Sequence, residues 1–369
     1  MISHHYSGVM DANHQFRRPI AAVFVHLGEN LPNELIRNAE NLISMNPNVQ
    51  VLLLTDSTGK GFPGETVEVD NGQLRRMITP YLERFPEIKE REDGYWEKTL
   101  TRLLALNSLK NSLDANSIVF HLESDVHMAL PFDLVTSIIL RENKIGVPLY
   151  PKLGNKGIGS IIYFPDVPAI STFINHIAAL VNSSKQALSD MELLGRALEN
   201  GWAVELPSVP RGKNQLTGRY NYEFLLFDGA AIGQYLHGVN PIHTNGTVVS
   251  GYKNPYIEID LSDIKWEISN FPNSKFPTIK LNYIDDVYYM ANIHVHSKEL
   301  LPHISSTSNE WQRIVSEANG GTRIEKKIVL ASPKKTKLTL KTKYIILKRM
   351  KIGGIAGYIA RRMLKSIGR

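Results

Sequence analysis

Two nearly uninterrupted apolar runs, Ile20 to Leu27 and Val49 to Thr55, flank a stretch in which Leu35, Ile36, Ala39, Leu42 and Ile43 recur at helical spacing. A run that is apolar at every position has no wet face, so it must be covered on both sides. That is the pattern of a parallel strand inside an α/β sheet. Pro32 stands where a first helical residue belongs, and Asn46-Pro47 closes the periodic stretch. Ile20 to Asp56 therefore reads as one βαβ unit, with ligands expected at the carboxyl ends of its strands, where His26 and Asp56 lie.

A third apolar run, Ser117 to Leu122, leads directly into Glu123-Ser124-Asp125. Two acids separated by one residue project to the same side of an extended chain and repel each other unless a cation lies between them. Hard ions such as Mg²⁺ and Mn²⁺ take oxygen ligands of this kind, commonly shared with the phosphates of a nucleotide. Solvated turn acids closing a strand give the same pattern, so the pair needs company before it reads as a site. Upstream, Glu97 to Leu109 is a helical pattern with Lys98 and Arg102 four apart on one face, spaced to reach a phosphate together. Downstream, the pattern predicts a helix from Pro131 to Arg141 and a strand from Gly159 to Phe164. Glycines 154, 157 and 159 precede or open that strand and allow backbone to approach a ligand closely. Helices over Ala169 to Val181 and Asp190 to Asn200 follow.

The second half is less regular, with turn residues and aromatics from Pro207 to Pro277. Phe227 to Tyr235 reads as a helix start with Asp228 as its N-cap. Thr278 to Lys280, Val287 to Ala291 and Ile293 to His296 read as short strands. The last opens Ile293-His-Val-His-Ser-Lys298, which presents His294 and His296 on one face.

With 369 residues, 43% of them hydrophobic, the chain can bury a large core. No run approaches 18 uninterrupted apolar residues, and the first eighteen residues are polar, so neither a membrane span nor a secretory signal is expected and a cytoplasmic placement follows. The absence of cysteine excludes disulfides and thiolate metal sites. The formal charge of +6 is uneven: residues 331–369 hold twelve Lys or Arg and no acid, so the rest of the chain carries 6 − 12 = −6. Tyr344, Ile345, Ile346, Leu347, Ile352, Ile355, Tyr358, Ile359, Met363, Leu364 and Ile367 interleave those charges, the pattern of a basic amphipathic helix at an anionic membrane surface. The interleaving lacks Phe and Trp platforms, which disfavours nucleic acid as the partner.

In their order, these motifs over roughly residues 20 to 300 resemble the nucleotide-sugar-dependent glycosyltransferases of the GT-A fold, of the kind that make bacterial surface polysaccharide. The resemblance implies an α/β, Rossmann-like mixed sheet flanked by helices. It divides the chain into an N-terminal extension (1–19), a catalytic domain (20–330, with a nucleotide-binding half 20–125 and an acceptor-side half 126–330) and the basic tail (331–369). It makes Glu123-Ser124-Asp125 the acid-x-acid motif, with Asp125 the firmer ligand of Mn²⁺ or Mg²⁺ and Glu123 a departure from the usual Asp. Either His294 or His296 completes the metal shell, His296 being preferred because it adjoins Ser297 and Lys298. His26, Asp56, Lys98, Arg102, Glu123, Ser124 and Lys298 become candidates for donor binding, and Asp228 and Gln234, in a stretch that resembles those enzymes, become candidates for contact with acceptor sugar hydroxyls. Asp190 becomes the candidate general base of an inverting transfer or an acceptor-binding group in a retaining one, although an acid at a helix start is also an ordinary first-turn charge. The implied partners are a nucleotide-sugar donor, a glycan or lipid-linked glycan acceptor and the inner face of a membrane. Sugar-phosphate nucleotidyl transfer and a non-catalytic glycan-binding scaffold are the rival readings.

Overall fold

The computed structural model describes residues 18–90, 94–139, 143–150, 156–208, 225–229, 232–233, 264–271, 274–281 and 284–295. The expected βαβ unit is present. β1 (Ile20–His26) and β2 (Val49–Thr55) pair in parallel from Ile20 opposite Val49 to His26 opposite Thr55, joined through helix α1 (Asn33–Met45). Strand β3 (Glu65–Glu68) adds in parallel at the β2 edge. Helices α2 (Asn71–Arg84), α3 (Pro86–Glu90) and α4 (Tyr95–Ala105) follow, and a 3₁₀ segment over Leu106–Asn111 leads to β4 (Ile118–Leu122), parallel to β1 on its other side.

Next come β5 (Val126–Met128), α5 (Phe132–Ile139), β6 (Ile145–Tyr150), β7 (Lys156–Gly157) and β8 (Ile161–Phe164). The chain then forms α6 (Val167–Ser183), α7 (Asp190–Glu199) and β9 (Ala203–Leu206). Strand β8 runs antiparallel to β4, so the main sheet is mixed, in the order β3-β2-β1-β4-β8-β6-β7, with β9 also parallel to β6. The result is a mixed α/β sheet with helices on both faces.

Alternation along β1 shows why the run had to be apolar throughout. Ile20, Ala22 and Phe24 point into a core shared with α1 and α5, whereas Ala21, Val23 and Val25 point into another shared with α2, α4, α6 and α7. All six are nearly inaccessible, the largest exposure being 8% at Val25.

A second sheet is built from β10 (Leu225–Phe227), β11 (Ile264–Phe271), β12 (Ser274–Leu281) and β13 (Ile284–His294). Two expected short strands in this region are one continuous strand of 11 residues, β13, and β11 occupies a stretch expected to be irregular. Strand β13 pairs antiparallel with β5, Asn292 opposite Met128 and His294 opposite Val126. That pairing carries a late segment of the chain to the end of β4. No helix among the described residues is long and apolar enough to cross a membrane.

Candidate functional site

Leu122 ends β4, and the chain turns at once, with the Val126 amide donating to the Glu123 carbonyl at 3.1 Å. The turn is held from below by α1. Asn38, fully buried, donates through Nδ2 to the Ser124 carbonyl at 3.2 Å and to the Val126 carbonyl at 2.7 Å. From the other side, the Val295 amide donates to the Asp125 carbonyl at 3.1 Å. The backbone of Glu123-Ser124-Asp125 is thereby fixed by two elements remote in sequence.

Three candidate ligands meet here. Nε2 of His294 lies 3.3 Å from Oδ1 of Asp125 and 3.7 Å from Oε2 of Glu123, and one ligand atom from each residue falls within 4.8 Å of the others. An octahedral cation with bonds of about 2.1 Å separates neighbouring ligands by about 3 Å, so the cluster needs only small adjustments to close on Mn²⁺ or Mg²⁺. Two carboxylates and an imidazole are a donor set such ions accept. Burial alone lowers the His294 pKa, but the facing Asp125, Glu123 and Asp228 carboxylates outweigh it and push the imidazole up to about 9. The site thus carries a proton where a cation fits. Of the two histidines expected, the structure brings in His294; His296 lies outside the described residues, as do Lys298, Gln234 and the basic tail.

Arg102 answers Glu123 from α4, with Nη2 3.3 Å from Oε1. The expectation that Lys98 and Arg102 reach a phosphate side by side is modified: Arg102 is committed to the acid motif, while Lys98 is exposed one turn earlier. An opposite charge at short range in a half-buried setting outcompetes solvent for the guanidinium.

Asp190 begins α7, but it does not cap the helix. Ser189 does, its hydroxyl accepting from the Glu192 amide at 3.3 Å while Glu192 Oε2 accepts from the Ser189 amide at 2.8 Å, a complete capping box. That leaves the Asp190 carboxylate available. It is 8% exposed, and its Oδ1 has no hydrogen-bond partner among the described residues. Burial, followed by the charge of Glu123, raises its pKa to about 6, against the opposing effects of the Met191 amide, Arg102 and the Thr99 hydroxyl.

At the far edge of the site, Asp56 follows β2 and accepts from the Gly28 amide at 2.7 Å and from Asn71 Nδ2 at 3.3 Å. Gly28 has φ +140°, a conformation that favours glycine, so the β1–α1 loop is drawn to Asp56. His26 is half-buried, and that burial lowers its pKa despite the nearby Asp56. Ser124 contributes its carbonyl to the Asn38 clamp.

Two expectations are corrected. Asp228 was expected to contact sugar hydroxyls; it is fully buried, and its carboxylate accepts from the amides of Ile232 (3.0 Å), Gly233 (2.6 Å) and His294 (3.0 Å). With no exposed surface it positions His294 rather than a ligand; the helix expected from Phe227 to Tyr235 lies in part outside the described residues. Gly157 was expected to admit a ligand; the backbone it admits is that of α7, since an added Cβ would stand 2.6 Å from Leu194 Cβ and 3.1 Å from the Gly195 nitrogen. Sequence reasoning missed Asn38. Its signal was a polar residue beside Ala39 on the otherwise apolar face of α1.

No family model and no curated protein sequence matches this chain. Among solved structures it is similar to an active-site mutant of the galactosyltransferase LgtC, at 10% identity over 81% of this chain and 95% of that one, with a TM-score of 0.39. It is also similar to the glycosyltransferase GlyE of Streptococcus pneumoniae, at 11% identity over 51% of this chain and 45% of that one, with a TM-score of 0.33. PaToxG glycosyltransferase matches at 12% identity over 50% of this chain and 70% of that one, with a TM-score of 0.30.

Proposed function

We propose that the protein is a GT-A-type, metal-dependent glycosyltransferase that moves a sugar from a nucleoside diphosphate donor to a glycan or lipid-linked glycan. The observation that carries this reading is the meeting of Glu123, Asp125 and His294 at the carboxyl end of a central parallel strand, beside a buried carboxylate, Asp190, of raised pKa. Glu123, Asp125 and His294 would hold Mn²⁺ or Mg²⁺, which when bound supplies a Lewis acid to a leaving diphosphate. His26 and Asp56, at the β1 and β2 ends, are placed for the nucleotide. Arg102 acts electrostatically on both His26 and Asp190, and its guanidinium would serve phosphate oxygens of a donor beside the cation.

Asp190 faces the acceptor. A sugar hydroxyl is a weak nucleophile, and a carboxylate with a pKa of about 6 is mostly ionised at neutral pH yet more basic than an ordinary aspartate. In an inverting transfer this carboxylate takes the hydroxyl proton; in a retaining one it accepts the hydroxyl's hydrogen bond. Residues 331–369 would keep the enzyme at an anionic membrane, on the cytoplasmic side, where a lipid-carried acceptor of surface polysaccharide is made.

The test is a panel of nucleoside diphosphate sugars screened for hydrolysis and transfer with Mn²⁺, Mg²⁺ or a chelator present. Metal-dependent turnover of at least one donor is expected, with a loss of at least 100-fold in Asp125→Ala. Full activity of Asp125→Ala, or pyrophosphate release from a nucleoside triphosphate and a sugar phosphate in place of sugar transfer, would overturn the reading.

A further inference from the structure

Helix α4 presents one stripe to the site. Tyr95, Thr99 and Arg102 stand at i, i+4 and i+7, which places them one above another on a helix surface. Arg102 reaches Glu123, and the Thr99 hydroxyl lies within hydrogen-bonding reach of both the Asp190 carboxylate and the Trp96 carbonyl, 3.1 Å away. Tyr95 starts the stripe just after Gly94, whose φ of +79° turns the chain into the helix. Among the described residues it is the large hydrophobic side chain that stands exposed, at 46%. Its ring is braced edge-on by Trp96, centroids 5.6 Å apart at 81°, which leaves the ring supported while its surface meets solvent. A rigid aromatic exposed beside a cluster of partly buried acids is a poor use of apolar area unless something covers it.

We propose that Tyr95 is the platform on which the apolar C–H face of an acceptor pyranose stacks, so that one of the sugar's hydroxyls meets Asp190. The proposal rests on the glycosyl-transfer reading above and names the acceptor subsite within it. A nucleobase would also stack on tyrosine, but the charges around the two ends of the site separate them. The charged groups acting on Tyr95 are Glu123, Asp190, Arg102 and Asp125, whereas those acting on His26 are Asp56 and Arg102. Tyr95 therefore belongs to the Asp190 side, and His26 with Asp56 to the opposite side.

Saturation-transfer NMR on the full chain with Mn²⁺, using UDP and the methyl α- and β-hexopyranosides of gluco, galacto and manno configuration as probes, tests it. Saturation of the C–H protons of one ring face is expected for at least one glycoside. The signal should fall at least tenfold in Tyr95→Ala, persist in Tyr95→Phe and strengthen in Tyr95→Trp, with the UDP signal retained in all three. No glycoside signal from the unmodified protein, an unchanged signal in Tyr95→Ala, or loss of UDP in place of the glycoside overturns the platform. Tyr95-dependent sugar binding without any transfer by the unmodified protein refutes the transferase reading alone. Transfer with Tyr95-independent binding refutes the platform alone.

Discussion

Replacing Asp190 with asparagine separates a residue that serves the fold from one that serves chemistry. The carboxyl pKa moves from 3.8 to about 6 on folding, chiefly because burial and Glu123 disfavour its charge. A group whose folded pKa is raised prefers to be protonated in the native state, so ionising it destabilises the fold. The penalty is absent below the unfolded pKa and complete above the folded one. At 1.36 kcal/mol per unit, a shift of about 2 units is worth at most about 3 kcal/mol at pH 8, about half of that at pH 5 and about 0.6 kcal/mol at pH 4.

Asparagine keeps the shape, offers Thr99 the same acceptor oxygen and carries no charge. We expect Asp190→Asn to unfold at higher urea concentration than the parent at pH 8, by up to about 3 kcal/mol in extrapolated stability. The advantage should shrink steadily toward pH 4. The measurement belongs in a chelating buffer, because the charge of Glu123 is part of the cause. The same substitution removes the proposed acceptor-facing base, so turnover should fall by about 100-fold or more while stability rises. A structural residue loses both together. A gain of equal size at pH 8 and pH 5, or a less stable variant at pH 8, would refute the reasoning.

The cation site should release protons as it fills. His294 has its pKa raised from 6.5 to about 9, so its stabilising charge is fully present below pH 6.5 and lost through pH 9. Between those limits, calorimetric titration with Mn²⁺ in buffers of different ionisation heat should show close to one proton displaced, and apparent affinity rising up to about tenfold per pH unit. Asn38→Ala leaves the Ser124 and Val126 carbonyls without their donor; a loss of about 1–3 kcal/mol by urea unfolding is expected, together with Mn²⁺ affinity reduced further than in an equally destabilised core variant. Deleting residues 331–369 should abolish cosedimentation with vesicles containing anionic lipid at low salt while leaving binding to neutral vesicles unchanged.

How far the sequence led depended on whether a residue's partners were local. Strands β1, β2 and β4 were legible because burial on both faces leaves an apolar residue at every position. The end of β7 was misread because Gly157 there serves α7, which meets it through Leu194 and Gly195, and no local pattern records that contact. Asp228 was misread for the same reason. Its short polar side chain in a glycine-rich turn has the look of a ligand contact, but its carboxylate is consumed by three backbone amides, one of them on β13. Asn38 was invisible because its partners are carbonyls, which carry no residue identity. By contrast, Glu123 and Asp125 could be nominated from type and spacing and His294, second choice to His296, through the family resemblance, and the pairing of β5 with β13 is what joins them.

That joining also explains how the site tolerates its own charge. Glu123, Asp125 and Asp190 place up to three negative charges in a small, largely enclosed volume, and like charges at that range repel strongly when water is scarce. In the structure Arg102 neutralises Glu123 and a protonated His294 chiefly Asp125, while Asp190 relieves the remainder through its raised pKa. A glutamate at position 123 suits this arrangement, since its added methylene lets one carboxylate offer Oε1 to Arg102 and Oε2 toward His294. Aspartate there has less reach and would have to choose between them. Glu123, Asp125 and His294 would hold a divalent cation only with His294 neutral, so the cation would take over the charge that the imidazolium carries. Glu123 would keep Arg102 on Oε1 while offering Oε2 to the cation, which would leave the guanidinium beside the metal and within reach of a diphosphate.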